Sequence, residues 1–202
     1  AKSVGAAMLA AFSVQAVIAL GNQVVNVTAK FQKMEAMLRV ALGSQSDATR
    51  AMEMISDFAG KTPFQVEELT QSFVKLTNQG FKPTRDQLRQ MGDLAASMGK
   101  DFDQLTEAIL DAQTGEFERL KEFGIRASAE GDRVKFTFKG VTTEVQKTDE
   151  AMRGYILSLG DAAGISGAMA EVSATVGGQL SNLSDNWTML MKEIGDGTGG
   201  GI

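Results

Sequence analysis

The hydrophobic pattern of the chain begins with an unbroken run of residues, from 3 to 29, that contains no charged side chain. As a helix this run would span roughly 40 Å at about 1.5 Å per residue, enough to cross a bilayer. Its many Ala and Gly residues weaken the membrane signal and permit close helix–helix approach. We therefore favour a helix packed by copies of itself or by neighbouring chains over a membrane-inserting helix. A buried helix of a larger domain is the third interpretation.

The same helix is expected to continue to Leu42, with Gly43 as its C-terminal cap. Its later apolar residues are spaced three and four apart, which predicts one apolar stripe. These residues are Phe31, Met34, Met37, Leu38 and Val40. The candidate interaction residues of the long apolar helix, residues 1–43, are Met8, Phe12, Val17, Leu20, Phe31 and Met34.

Residues 44–160 have the pattern of a helical domain built from short helices with clear ends. Apolar residues recur every three or four positions, and a glycine follows most of the predicted helices. Both prolines mark extended turns, because the residue before a proline avoids the helical region. Thr84 and Gln87 have the spacing of a capping box, and Asp101 or Asp103 is expected to cap the next helix.

A β element interrupts this helical domain near residues 125–145. Apolar side chains alternate strictly with polar ones from Arg133 to Lys139, which predicts a half-buried antiparallel strand. Val134, Phe136 and Phe138 form its apolar side. Shorter candidate strands precede and follow it, with a Gly-containing turn between the first two. Because so small a sheet is not stable alone, it should pack on the helices.

The chain is predicted to end in helices over residues 161–195 and a Gly-rich linker over residues 196–202. The last helix carries apolar residues at helical spacing, namely Leu180, Leu183, Trp187, Leu190 and Ile194. The expected fold is therefore mainly α: a multi-helix domain with a long N-terminal apolar helix and a small antiparallel β-hairpin insertion. We interpret the first and last residues as the ends of a segment excised from a longer protein.

Composition narrows the possible functions. The chain has no cysteine and no histidine, which excludes a disulfide framework, a Cys nucleophile, a Ser-His-Asp triad and a His or Cys zinc site. Its net charge is −5, and no stretch is basic enough for strong nucleic-acid binding. We expect no cofactor, no metal and no specific nucleic-acid partner.

Carboxylates are the only candidates for acid–base chemistry. The close pairs are Glu67/Glu68, Asp101/Asp103, Glu107/Asp111 and Glu116/Glu118. A glycosidase needs two carboxylates across a cleft, one with a raised pKa. Acids at helix starts are expected from capping and the helix dipole alone. We therefore predict that the chain is not an enzyme.

The methionines raise a separate possibility. Several of the eleven lie in the first 54 residues. Met suits adaptable packing surfaces, so a surface for partner helices or for a bundle of identical helices is an alternative to ordinary core filling.

Several ordered segments resemble the N-terminal conserved region of tail tape measure proteins of long-tailed bacteriophages and prophages. The resemblance covers roughly residues 30 to 195, and no single motif in it is catalytic. Its elements are the stretch from Met34 to Arg39, the turns Thr62-Pro63-Phe64 and Gly80-Phe81-Lys82-Pro83, the segments 103–113 and 115–125, the strand 134–138 and the segment 180–187.

This resemblance implies a structural role in a phage tail. The full protein would be a long helical rod in the tail lumen whose length sets tail length and which leaves before the genome. Tail tube proteins, tail-tip proteins and tail assembly chaperones would be its partners, and self-association and contact with the host membrane are further expectations. It would pass through the host cytoplasm during assembly. The alternatives are a membrane-active helical protein aiding DNA passage across the host envelope and, less favoured, a cell-wall hydrolase module.

Overall fold

The computed structural model describes the backbone of residues 14–199, and the side chains of these residues except 14–18, 20, 176–183, 195 and 197–199. Eight α-helices and a three-stranded sheet occur in this part of the chain. The helices are α1 (Val14–Leu42), α2 (Gln45–Ala59), α3 (Val66–Asn78), α4 (Arg85–Ser97), α5 (Phe102–Thr114), α6 (Asp149–Ser158), α7 (Ala168–Ser173) and α8 (Val176–Gly199). Two short 3-10 helices cover Arg119–Phe123 and Leu159–Asp161. The predicted mainly helical fold is confirmed.

Local side-chain caps explain where several helices begin. The Thr84 hydroxyl accepts the N–H of Gln87, and the Gln87 side chain accepts the N–H of Thr84 in return, which confirms the predicted capping box of α4. Asp101 is the residue that precedes α5, and its N–H donates to Gln104 at 3.1 Å. After α5 the chain turns at Gly115, whose φ of 89° is a conformation that favours glycine.

The sheet has the strand order β1-β2-β3, with β1 at Ile125–Glu130, β2 at Arg133–Phe138 and β3 at Val141–Gln146. Both pairings are antiparallel and continuous over six residues. The apolar side of β2 is buried as predicted, with Val134 and Phe136 fully inaccessible to solvent. Phe136 stacks on Tyr155 of α6 with ring centroids 4.8 Å apart, which attaches the sheet to the helices.

The core of the domain is centred on α5. This helix contacts α3, α4, α6 and the first 3-10 helix, and its inward residues are almost completely buried. They are Phe102, Leu105, Ala108, Ile109 and Ala112. An amphipathic helix with neighbours on several sides must bury a wide apolar face, which the three-and-four spacing supplies.

The prediction that Val40 belongs to the apolar stripe on α1 is wrong. Phe31, Met34 and Leu38 are buried, but Val40 has 83% of its surface exposed. The helix advances about two and a half turns between Phe31 and Val40, so the two side chains leave opposite sides of it.

The predicted linker is also partly wrong, because α8 continues to Gly199. An ion pair between Lys192 and Asp196, one helical turn apart at 2.7 Å, supports the helix across Gly195.

A close joint connects α4 to the C-terminal part of the domain. The second 3-10 helix lies so near α4 that a Cβ on Gly160 would be 2.1 Å from the Gln90 carbonyl oxygen. On the same helix, the buried carboxylate of Asp93 accepts the N–H of Met169 at 3.0 Å and an Arg89 N–H at 3.1 Å. Arg89 also bonds to Asp161 at 2.6 Å. Ion pairs and close backbone approach therefore fix α4 against α7.

The close backbone contact at Gly160 predicts that two glycine substitutions change the free energy of unfolding very differently. Gly160→Ala should lower the free energy of unfolding by about 1–3 kcal/mol, because the added methyl group meets rigid backbone. Gly154→Ala in α6 meets nothing within 4 Å and should raise it by about 0.5–1 kcal/mol through helix propensity. Urea unfolding of both variants measures the difference, and equal effects would contradict the close approach.

Candidate interaction surface

The N-terminal half of α1 lies on the surface of the molecule. None of the described side chains from residue 19 to residue 30 is buried, and Val25 has 67% of its surface exposed. Burial begins at Phe31 and continues to Leu38, where α1 packs on α2 and α3. The helix is therefore anchored by its second half, while its uncharged first half presents small and β-branched side chains to its surroundings.

The structure separates the candidate interaction residues into two groups. Phe31 and Met34 are 3% and 4% exposed and belong to the core of this chain. Met8 and Phe12 lie outside the described residues. Val17 and Leu20 lie in the α1 backbone, but their side chains are outside the described part. The proposed interaction role of these residues stays a prediction.

Helix α8 covers part of α1 and presents a second apolar surface. One side of α8 packs inward, where Met191 is 2% exposed and Met189 approaches Gly60. Trp187, Leu190 and Ile194 stay 44%, 45% and 41% exposed. Three large apolar side chains in successive turns of one helix are typical of an interaction site.

The sequence pattern had identified the stripe of α8 without showing which way it faces. Its three-and-four spacing is the same as that of the buried stripes of α3 and α5, so periodicity alone could not separate an internal face from an external one. The signal that could have been used is that α8 also carries Met189 off this stripe. A helix with apolar residues on two sides has two surfaces to cover.

Two grooves run along α1, each about 360 Å³ in volume. The first separates α1 from α8 and is lined by Ala19, Asn22, Gln23, Asn26, Val27, Lys30 and Thr188. The second separates α1 from α3 and is lined by Lys33, Ala36, Met37, Val40, Ala41, Val74 and Asn78. The groove between α1 and α3 is lined mainly by small and apolar side chains, whereas amide side chains and Lys30 line most of the groove between α1 and α8.

The carboxylates considered for catalysis are held in ion pairs and backbone contacts. Lys75 of α3 lies 2.8 Å from Asp103 and 2.5 Å from Glu107 of α5. Glu68 accepts the N–H of Asp103 at 3.0 Å. The structure therefore brings together one member of each of three predicted pairs, but places a lysine among them.

Electrostatics of this cluster follow from its partial burial. Burial raises the pKa of Glu68, and the N–H of Asp103 opposes this only in part. Burial would lower the pKa of Lys75, but its hydrogen bonds to Asp103 and Glu107 outweigh it, and the pKa of this amine is raised. The cluster thus joins α3 to α5 through one lysine shared by two carboxylates.

The remaining acids of the predicted pairs lie apart from this cluster. Glu67 lies 3.5 Å from Lys30, Asp111 pairs with Arg119 at 2.7 Å, and Glu118 pairs with Lys121 at 2.6 Å. Glu116 is exposed.

Across residues 14–199 as described, no group of three or more acidic, His or Cys side chains is arranged to hold a metal ion. No described helix is both long and apolar enough to span a bilayer.

A structural role of the cluster predicts a pH-dependent effect of removing its lysine. Lys75→Met should lower the free energy of unfolding at pH 7 by about 1 kcal/mol, because Asp103 and Glu107 then repel each other without a cation. The loss should shrink above pH 10.5, because the Lys75 amine, whose pKa its two carboxylate partners raise, then begins to lose its proton in the wild type as well. Lys121→Met, at an exposed pair, is the matched control and should change little. Urea unfolding at about pH 7 and about pH 11 measures both, and an undiminished loss at high pH would contradict this account.

A comparison with known proteins relates this chain to a protein family. A family model described as tape measure protein matches residues 22–196. No curated protein and no solved structure matches the chain. The match includes α1 from its exposed half onward, the domain around α5, the sheet and most of α8.

Proposed function

The chain belongs to the tape measure protein family, and we propose that it is a folded segment of a protein that sets tail length and is ejected during genome delivery. Its role is structural and its place is the phage tail. The observation that carries the proposal is the family match over residues 22–196, which includes nearly all of the described fold. The finer roles, length setting and ejection, are part of the proposal.

The shape of α1 supports a role in assembly. As a helix of 29 residues it is about 44 Å long at about 1.5 Å per residue. Only its second half is buried by its own domain. A helix that is anchored at one end and uncharged along the other can pack against neighbouring helices without desolvating charges. We propose that this half of α1 and the exposed stripe of α8 pack against other copies of the chain.

The other proposed partners are tail tube proteins, tail-tip proteins and tail assembly chaperones. These partners would meet the chain inside the tail lumen or, during assembly, in the host cytoplasm. The mostly small and apolar lining of the groove between α1 and α3 favours helical or apolar protein segments as occupants.

Self-association can be tested at two exposed apolar positions. The double variant Val25→Glu and Leu190→Glu should reduce the molar mass from that of an oligomer to that of a monomer, because each copy would place a carboxylate in the contact. Light scattering after size exclusion measures this. The matched control is Val141→Glu, at an exposed valine of the sheet, which should leave the oligomer unchanged.

A wild-type chain that is monomeric at all concentrations would contradict self-association. An oligomer that survives the double variant would place the contact elsewhere. Liposome binding of the same samples then tests the membrane-active alternative directly.

Length setting predicts how tails respond to changes in the protein that contains this chain. In-frame removal of 40 residues from a rod-like helical region should shorten the tail by about 60 Å, since each helical residue spans about 1.5 Å. Destabilising this compact domain with Gly160→Ala should reduce the number of tails but not their length. Electron microscopy of purified particles measures both. Tails of unchanged length after the helical deletion would contradict the proposal.

A further inference from the structure

Asp185 of α8 is buried at the contact between α8 and the rest of the domain. Only 3% of its surface is exposed. Its carboxylate accepts the N–H of Val66, the first residue of α3. A side chain of one helix therefore caps the N-terminus of another, where a negative charge is favourable. This bond links the position of α8 to that of α3.

The second oxygen of the same carboxylate is not satisfied. Among the described residues Asp185 Oδ2 has no hydrogen-bond partner and is inaccessible to solvent. The hydroxyl of Thr62, in the loop that leads into α3, is also buried without a partner in the described part of the chain. A buried oxygen that carries charge and lacks a partner destabilises the contact in which it lies.

The charged side chains nearby do not compensate Asp185. On the elements packed around α8 these are Lys30, Lys33 and Glu35 of α1, Glu53 and Asp57 of α2, Lys61 after α2, Glu67 and Glu68 of α3, Glu171 of α7, and Lys192, Glu193 and Asp196 of α8 itself. Lys30 pairs with Glu67, Lys61 with Asp57 and Lys192 with Asp196. No ion pair with Asp185 occurs among the described contacts.

We propose that α8 is a releasable helix whose docking on the domain is controlled by protonation of Asp185. The protonated side chain can still accept the Val66 N–H and no longer buries a charge. The ionised side chain keeps the capping bond but leaves a charged oxygen without a partner. Release of α8 would uncover the side of α1 that it contacts, together with the surface around Gly60.

The direction of the pH effect follows from the environment of this carboxyl group. Burial raises the pKa of Asp185 to about 6, and the Val66 N–H lowers it only in part. A group whose pKa is higher in the docked state than in the released state favours docking in acid. Docking is therefore strongest below the ordinary pKa of 3.8 and weakens as the pH rises through about 6. The difference between these two pKa values corresponds to roughly a 100-fold change in the docking equilibrium.

Hydrogen exchange of the full chain between about pH 3 and pH 8 tests this proposal. After correction for intrinsic exchange rates, protection of the α8 amides should fall by up to about 100-fold as the pH rises from about 4 to 6 and then level off, while the amides of α5 stay protected. Asp185→Asn keeps an acceptor for the Val66 N–H and removes the charge, so its α8 protection should stay high at every pH. Glu193→Gln, at an exposed acid on the same helix, is the matched control and should follow the wild type.

Two results would overturn the proposal. One is α8 protection that does not change with pH in the wild type, and the other is an unchanged pH dependence in Asp185→Asn. If that variant does not fold, Trp187 gives a second measurement in the wild-type chain, since it is the sole tryptophan and lies on α8. Quenching of its fluorescence by acrylamide should increase as the pH rises from about 4 to 6, and a flat titration would contradict release.

Discussion

The packing of α5 is the constraint on which the rest of the domain depends. Its inward face, represented by Phe102, Leu105 and Ile109, is at most 1% exposed and meets helices before and after it in the chain. Close packing at such a face leaves little freedom to the neighbours, because dense interiors do not deform continuously. The positions of α3 and α4 follow from this contact. Through α4, the joint at Gly160 and Asp93 then places the C-terminal elements.

The helices at the edge of the domain, away from α5, bury fewer of their side chains. This difference in burial supports the proposed role in assembly. α3 and α5 are surrounded by apolar neighbours, whereas α1 leaves the core after Phe31 toward its N-terminus and α8 keeps large apolar side chains exposed. Elements with few buried contacts open at lower free energy than the core. A rigid domain with adaptable helices at its edge suits a protein that must assemble with several partners and later leave them.

Local rules of the sequence account for much of this fold. Capping residues, glycine stops and strict alternation depend on residues a few positions apart, so the capping box at Thr84 and the buried side of β2 could be predicted. Periodicity could also have excluded Val40 from the stripe of α1, since it lies half a turn away from Phe31. The exposure of Trp187 depends on which elements lie beside it, and periodicity does not contain that information. Asp185 and Val66 are far apart in the sequence, and so are Gly160 and Gln90, so neither contact could be inferred from one sequence.

The aspartates show why residue type alone does not determine function here. Asp101 precedes a helix and remains solvated, while Asp93 is buried but bonded to Arg89 and to a backbone N–H. Asp185 is equally buried and has a single backbone donor, so it alone of the three retains a charge without full compensation. An aspartate on this side of α8 is poorly suited to permanent burial, and asparagine, which keeps an acceptor for the Val66 N–H without a charge, would dock the helix more tightly. The uncompensated charge at this position is the reason to regard the docking of α8 as conditional.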